Sequence, residues 1–371
     1  MPFTEFDRHR VKFYPLRERE NRVFIEQDHI RPEDSPHPLT EQQLQLIDEV
    51  TERIVAARKC GAARMLTFGA HAIKNGLAPV MARLAETHWI THLATNGAGI
   101  IHDWEFAFIG ESSEHVAANV AEGKFGMWEE TGFYLNLALA IGAWEGLGYG
   151  ESVGSLVENE GLTIPSEDTL VAAITDGVAG DSRQAAAAAD LLYLVRRFEL
   201  KAGWMAVPHP YKRFGLQAAT YRLGVPLTGH PMIGHDIIYL HPMNHCAALG
   251  RVAQRDFLTF AQSVSNLTNG VYLTIGSAVM SPMVFEKSMS LSQNVAQQAG
   301  KQIENHFIMV VDLAESHWNW QQGEPPEDNP DYYLRYNKSF SRMGGTMRYL
   351  SADNRDFLLA LLHNLEQRSI D

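Results

Sequence analysis

The chain has 371 residues, 45% of them apolar, enough for a large core in one big α/β domain with extensions or in two smaller domains. A formal net charge of -13 with no lysine or arginine run argues against nonspecific nucleic-acid binding and leaves a small molecule as the expected partner. Cys60 and Cys246 are the only cysteines, which excludes a disulfide framework and a CxxC zinc pattern, and the charged start MPFTEFDRHR with no long apolar run predicts a cytoplasmic protein without a membrane partner.

Residues 1–39 are polar and proline-containing and read as an arm wrapped on the body or on a neighbouring subunit. Residues 40–371 read as a single α/β domain. Thr40 is placed to cap a helix running to about Lys59, with Leu44, Ile47, Val50, Ile54 and Val55 at helical spacing. Further helices are predicted at 77–88, 112–122, 127–147, 182–199, 211–224, 247–268, 283–299 and 353–366. Short apolar runs at 64–69, 90–95, 203–207, 225–229, 271–275 and 306–313 suit buried parallel strands. The alternation predicts a doubly wound, mostly parallel Rossmann-like sheet with helices on both faces. The weakly periodic stretch 148–182 reads as an irregular insertion, and 314–336, around WNWQQGEPPEDNPDYY, as a loop or lid.

Four strands break into loops that carry glycine and polar groups, and in an open parallel sheet such strand ends are where ligands bind. The first offers Gly69, His71, Lys74 and Asn75. The second, TNGAG, offers Asn96, Gly97, Ala98 and Gly99, whose backbone N–H groups suit a phosphate or a dinucleotide, followed at once by His102 and Asp103. The third brings His230, His235 and Asp236 close together with His241 and His245, residue types that serve acid–base chemistry near neutral pH or a metal. The fourth offers Gly276 and Ser277, without the GxSxG order of a serine hydrolase.

The order of these loops resembles deoxyhypusine synthase and its bacterial relatives from about residue 60 onward. HLATNGAGIIHD looks like that family's TTAGGVEED segment, HDIIYLHP like GDMIFFHS, YLTIGSAV like IILGGGVV, and SADNRDFLLALL like ADASLVFPLL. The resemblance implies an NAD-binding α/β fold assembled as a homotetramer. It places Gly97, Ala98, Gly99 and Asp353 on the cofactor, Asp103 and Asp236 on the substrate, and Lys338 as the imine-forming lysine. Ile101 and His102 stand where the family has paired glutamates, and Pro231 and Pro282 where it has a cofactor aspartate and a catalytic histidine, so transfer to a protein lysine is not expected.

The resulting expectation is an NAD-dependent oxidoreductase or aminoalkyl-transferase-like enzyme acting on a small amine or amino-acid-like substrate. NAD lies over Gly69, His71, Asn75, Asn96–Gly99, Gly276, Ser277 and Asp353. Asp103, Asp236 and His235 hold the substrate, and Lys338, His102 and His230 do the chemistry. Two other classes are weighed against it: a lyase or hydrolase with a divalent metal on His71, His102, His230 and His235, and a binding protein that has lost catalysis.

Overall fold

The computed structural model describes residues 3–368. Six parallel strands form the central sheet: β1 (Arg64–Phe68), β2 (His92–Asn96), β3 (Leu227–His230), β4 (Val271–Ile275), β5 (Phe307–Asp312) and β6 (Thr346–Ser351). Their order across the sheet is β3-β2-β1-β4-β5-β6. Successive side chains of a strand point to opposite faces. Met65, Tyr272, Ile308 and Met347 accordingly enter one apolar cluster, with Phe260 and Phe285 from helices Cys246–Ser265 and Met280–Gln298. Leu66, Phe68, Leu273 and Met309 enter the other, with the Glu41–Lys59 and Asn354–Glu366 helices. Both faces of the sheet are therefore covered, as the continuous apolar runs require. The fold is the doubly wound α/β arrangement expected.

Local signals act as the residues dictate. Thr40 and Gln43 form a capping box at the start of the Glu41–Lys59 helix, with the Thr40 hydroxyl accepting from Gln43 N at 3.2 Å. Three readings of the sequence need correction. The run at 203–207 is not part of the central sheet: Gly203–Ala206 pairs antiparallel with Gly161–Ile164 in a separate ribbon. The sixth central strand is instead Thr346–Ser351, an edge strand whose half-exposed pattern hides its apolar signal. The Gly97–Ile109 helix shows no amphipathic period because it is buried nearly all round.

The 148–182 stretch is not irregular. It contains the Tyr149–Asn159 helix, the ribbon strand Gly161–Ile164 and the Glu167–Ala179 helix capped by Ser166. The glycines that obscure the helical period are contact points: a Cβ on Gly150 would run into the Leu227 carbonyl, and one on Gly154 would crowd Gln217. The predicted 112–122 helix begins instead as a strand. Glu111–Glu114 pairs with Asn21–Phe24 of the N-terminal arm, and only Val116–Ala121 is helical. The arm thus lies on the body, with Leu16 and Ile25 buried. No helix of the described residues is long and apolar enough to cross a membrane.

Candidate functional site

The chain lays β1 to β3 outward on one side and, after the β3–β4 crossover, β4 to β6 outward on the other, so the strand order reverses between β1 and β4, and such a switch point is where doubly wound sheets receive ligands. β1 ends at Gly69 and β4 at Gly276. A Cβ on Gly69 would strike the Gly276 carbonyl, and Gly276 itself has φ +53 and lies against the Asn354 amide. The two strand ends therefore meet as bare backbone, a contact only glycine permits. Ser277 follows, its hydroxyl accepting from Ser281 N at 3.3 Å, and Ala278 and Val279 are exposed beside it. Asp353 caps the Asn354–Glu366 helix, accepting from Arg355 N at 2.8 Å.

β2 runs without a break into the Gly97–Ile109 helix, and the Asn96 side chain caps it by accepting from Gly99 N at 2.9 Å. At Gly97 the Asp236 carboxylate occupies the place a Cβ would take. Next to these groups lies a cavity of about 420 Å³. Its walls come from the short Ala70–Lys74 helix after β1 (Lys74), the Gly97–Ile109 helix (Ala98, His102), the loop after β3 (His235, Asp236) and the arm (Arg22). Arg22 and Lys74 make no ion pair among the described residues.

Two groups in this cavity are electrostatically unusual. Burial pushes the Asp236 carboxyl up to about 6, with His235 pulling the other way, and its Oδ2 has no partner among the described residues. The buried hydroxyls of Tyr149 and Tyr239, both of which feel the Asp236 charge, are also unpartnered. Burial pulls the His102 imidazole down to about 4; Glu105 opposes the shift, while Lys74, Arg19 and His71 reinforce it. At neutral pH the cavity therefore holds an uncharged imidazole beside an ionised, unpaired carboxylate.

The predicted site residues divide by this geometry. Gly69, Gly276, Ser277 and Asp353 lie at the carboxyl edge around the switch point, and Asn96, Gly97 and Gly99 at the adjoining helix start. Ala98, His102, His235 and Asp236 line one cavity. His71 is exposed on the short Ala70–Lys74 helix, which Asn75 ends.

Three residues stand elsewhere. Asp103 faces away from the cavity wall: its carboxylate accepts from Leu216 N and Gln217 N, both at 2.9 Å, and so caps the Leu216–Leu223 helix. His230 is buried against Phe260 with Nε2 3.0 Å from Thr228 Oγ1, and burial drives it down to about 3. Lys338 sits with Nζ 3.5 Å from Glu324 and 3.3 Å from the Tyr332 ring centroid, outside the cavity lining. An imine-forming lysine must shed its proton, and a carboxylate partner favours keeping it. The four histidines weighed as metal ligands do not converge, and no group of three or more His, Cys, Asp or Glu among the described residues is arranged to hold a metal.

Sequence reasoning missed Arg19, Glu105 and Ser112, which stand behind His102. Arg19 Nη1 and Nη2 each lie 2.7 Å from a Glu105 oxygen, and Ser112 Oγ lies 2.7 Å from His102 Nδ1. No local pattern announces this set, because 86 residues separate Arg19 from Glu105 and only the folding of the arm joins them.

Strand order, glycine switch point and adjoining cavity define the class: a doubly wound, Rossmann-like α/β protein with a cavity beside the carboxyl edge of its sheet. No family model matches the chain, and no curated protein sequence matches it. Among solved structures it is similar to a conserved LOR/SDH protein from Methanococcus maripaludis S2, at 14% identity and TM-score 0.42, covering 91% of this chain and 74% of that one. It is also similar to ArgZ, an arginine dihydrolase from the ornithine-ammonia cycle in cyanobacteria, at 12% identity and TM-score 0.41, covering 88% of this chain and 33% of that one. For unliganded AgrE the values are 13% and 0.43, covering 89% and 34%. The chain thus spans about a third of the length of ArgZ and AgrE. Overlap this loose carries no reaction or ligand across. These likenesses nevertheless replace the resemblance to deoxyhypusine synthase, and the roles which that resemblance gave to Asp103 and Lys338 find no counterpart in the cavity.

Proposed function

We propose that the chain is an NAD-linked enzyme that binds the dinucleotide at the β1/β4 switch point and a small amino-acid-like substrate in the cavity beside it. One observation carries this reading: the bare backbone contact of Gly69 and Gly276 where the strand order reverses, next to a cavity holding a neutral imidazole and an unpaired carboxylate. Dinucleotides lie across such a switch point, because glycine allows their phosphates to approach the main chain. Gly69, Gly276 and Ser277 would hold the cofactor, with Asp353 at the rim; bound nicotinamide supplies a hydride acceptor or donor.

The chain's own residues divide the substrate between them. Asp236 takes the ammonium end, since an unpartnered buried carboxylate gains most from a cation. Arg22 and Lys74, free of ion pairs among the described residues, take the carboxylate end. His102 stays uncharged at pH 7 and offers a ring nitrogen to a substrate proton.

The test is a thermal-shift panel of small amines and amino acids with NAD present, chosen so that an ammonium can meet Asp236 and a carboxylate can meet Arg22 and Lys74. The expected result is stabilisation by a ligand carrying both an ammonium and a carboxylate. Asp236 is ionised only above about 6, so affinity should fall as pH drops through that value. Loss of one charge-assisted contact in Asp236→Asn should weaken binding about 10- to 100-fold and flatten the pH profile. Equal binding by wild type and variant at pH 7.5 would contradict the assignment.

A further inference from the structure

His102 stands at the cavity end of a four-residue chain that runs back to the N-terminal arm. Its Nδ1 is 2.7 Å from Ser112 Oγ; Ser112 Oγ donates to Glu105 Oε2 at 2.5 Å; and Glu105 is gripped through both oxygens by Arg19 at 2.7 Å, with Thr131 Oγ1 donating to Oε1 at 3.0 Å. Arg19, Glu105, Ser112 and Thr131 are all buried.

The protons in this chain are countable. Burial opposes a charge on Glu105, yet the Arg19 guanidinium outweighs it and the carboxyl pKa is lowered, so Glu105 has no proton to give. The hydroxyl of Ser112 has one proton, and its only acceptors of interest are Glu105 and His102. With that proton directed to the carboxylate, the Ser112 lone pair faces Nδ1, which must then carry hydrogen. The second ring nitrogen, Nε2, has no partner among the described residues, and the His102 side chain is 21% exposed on the cavity side.

We propose that Ser112 is a positioning residue that fixes His102 as the neutral Nδ1–H tautomer, leaving Nε2 as the cavity's proton acceptor, while Arg19 of the arm keeps Glu105 ionised to hold Ser112 in that role. This deepens the reading of the cavity as a proton-transfer site and rests on it for its use. When a substrate proton moves to Nε2, the ring becomes an imidazolium with two N–H groups. Nδ1–H remains bonded to Ser112, and the Glu105 charge, with its Oε2 4.0 Å from Nδ1, faces the new cation. No proton needs to leave Ser112. The relay therefore orients and stabilises without being consumed, the role a buried carboxylate plays behind a catalytic imidazole.

The test needs neither cofactor nor substrate. Full-length protein carrying ¹⁵N-labelled histidine is studied by long-range ¹H–¹⁵N correlation at pH 7.5, with His102→Gln used to assign the His102 signals. The wild type should show His102 as a single Nδ1–H tautomer. Ser112→Ala should shift it to a mixture or to Nε2–H, and Ser112→Thr, which keeps the hydroxyl, should restore the wild-type pattern. An Nε2–H tautomer in the wild type, or an unchanged spectrum in Ser112→Ala, overturns the proposal. Because this readout is independent of ligands, a protein that shows the tautomer but binds no NAD refutes the enzyme reading alone, and the reverse outcome refutes the relay alone.

Discussion

Replacing Arg19 by methionine is expected to destabilise the fold by about 3–5 kcal/mol, the usual cost of stranding one partner of a buried ion pair. Both side chains are almost wholly buried, at 2% and 1% exposure, so water cannot take over from the lost guanidinium. Ser112 and Thr131 still donate to Glu105, but two neutral hydroxyls do not balance a buried charge. The double variant Arg19→Met with Glu105→Leu removes the charge as well as its partner and should recover more than half of the loss, since apolar replacement of a whole buried pair is often neutral. Urea unfolding of the two variants decides the matter. A single variant within about 1 kcal/mol of wild type would mean that the pair is not holding the arm to the body, because exposed ion pairs have contributions of that size.

The second large effect is a loss of stability in mild acid. Burial holds several histidines as neutral rings: it drives His92 and His230 down to about 3 and His102, His209 and His241 down to about 4, and it also lowers His306. In the unfolded chain each titrates at its ordinary value near 6.5. Between these limits the unfolded state binds more protons, so stability falls as pH falls from about 6.5 toward 4.

Buried carboxyls act in the opposite direction. Burial raises Asp236 to about 6 and Asp256 to about 7, and each is protonated in the fold where the unfolded chain would ionise it. Asp103, Glu129 and Glu145, which burial also raises, add to this offset, so the carboxyls cancel part of the loss that the imidazoles cause. Urea midpoints measured at pH 7.5, 6.5 and 5.5 should fall progressively, and a midpoint unchanged over that range would show that these rings are not buried neutral.

How much of this was legible in the sequence follows from burial. β1 to β5 could be read because each is a short apolar run covered on both faces, which leaves few alternatives to a parallel strand. β6 could not, because TMRYLS at the sheet edge buries only Met347 and Leu350, three residues apart, and follows two glycines with positive φ. The Gly97–Ile109 helix, packed on most sides, carries no amphipathic stripe to read, although the loop that starts it stood out.

The same logic divides the site. Gly69, Gly97, Gly276, His102, His235 and Asp236 were visible because glycine and titratable groups at strand ends are locally conspicuous. Their sorting was not visible. His230 and Asp236 lie six residues apart in one loop region, yet one is packed against Phe260 and the other faces the cavity. Asp103 and His102 are neighbours in sequence, but on a helix adjacent residues point in different directions, one to a helix cap and one to the relay. The partners that give His102 its chemistry come from Ser112 and from the arm, and only the folded chain brings them together.

The proposed function stands on a dinucleotide at the β1/β4 switch point. Calorimetric titration with NADH tests it most directly, on the wild type and on Ala278→Glu, which adds a carboxylate at an exposed position beside Gly276 without burying it. Saturable binding by the wild type with a dissociation constant below about 1 mM is expected, and at least tenfold weaker binding by the variant, a difference of about 1.4 kcal/mol. No heat of binding in the wild type, or equal affinity in the two proteins, would contradict it.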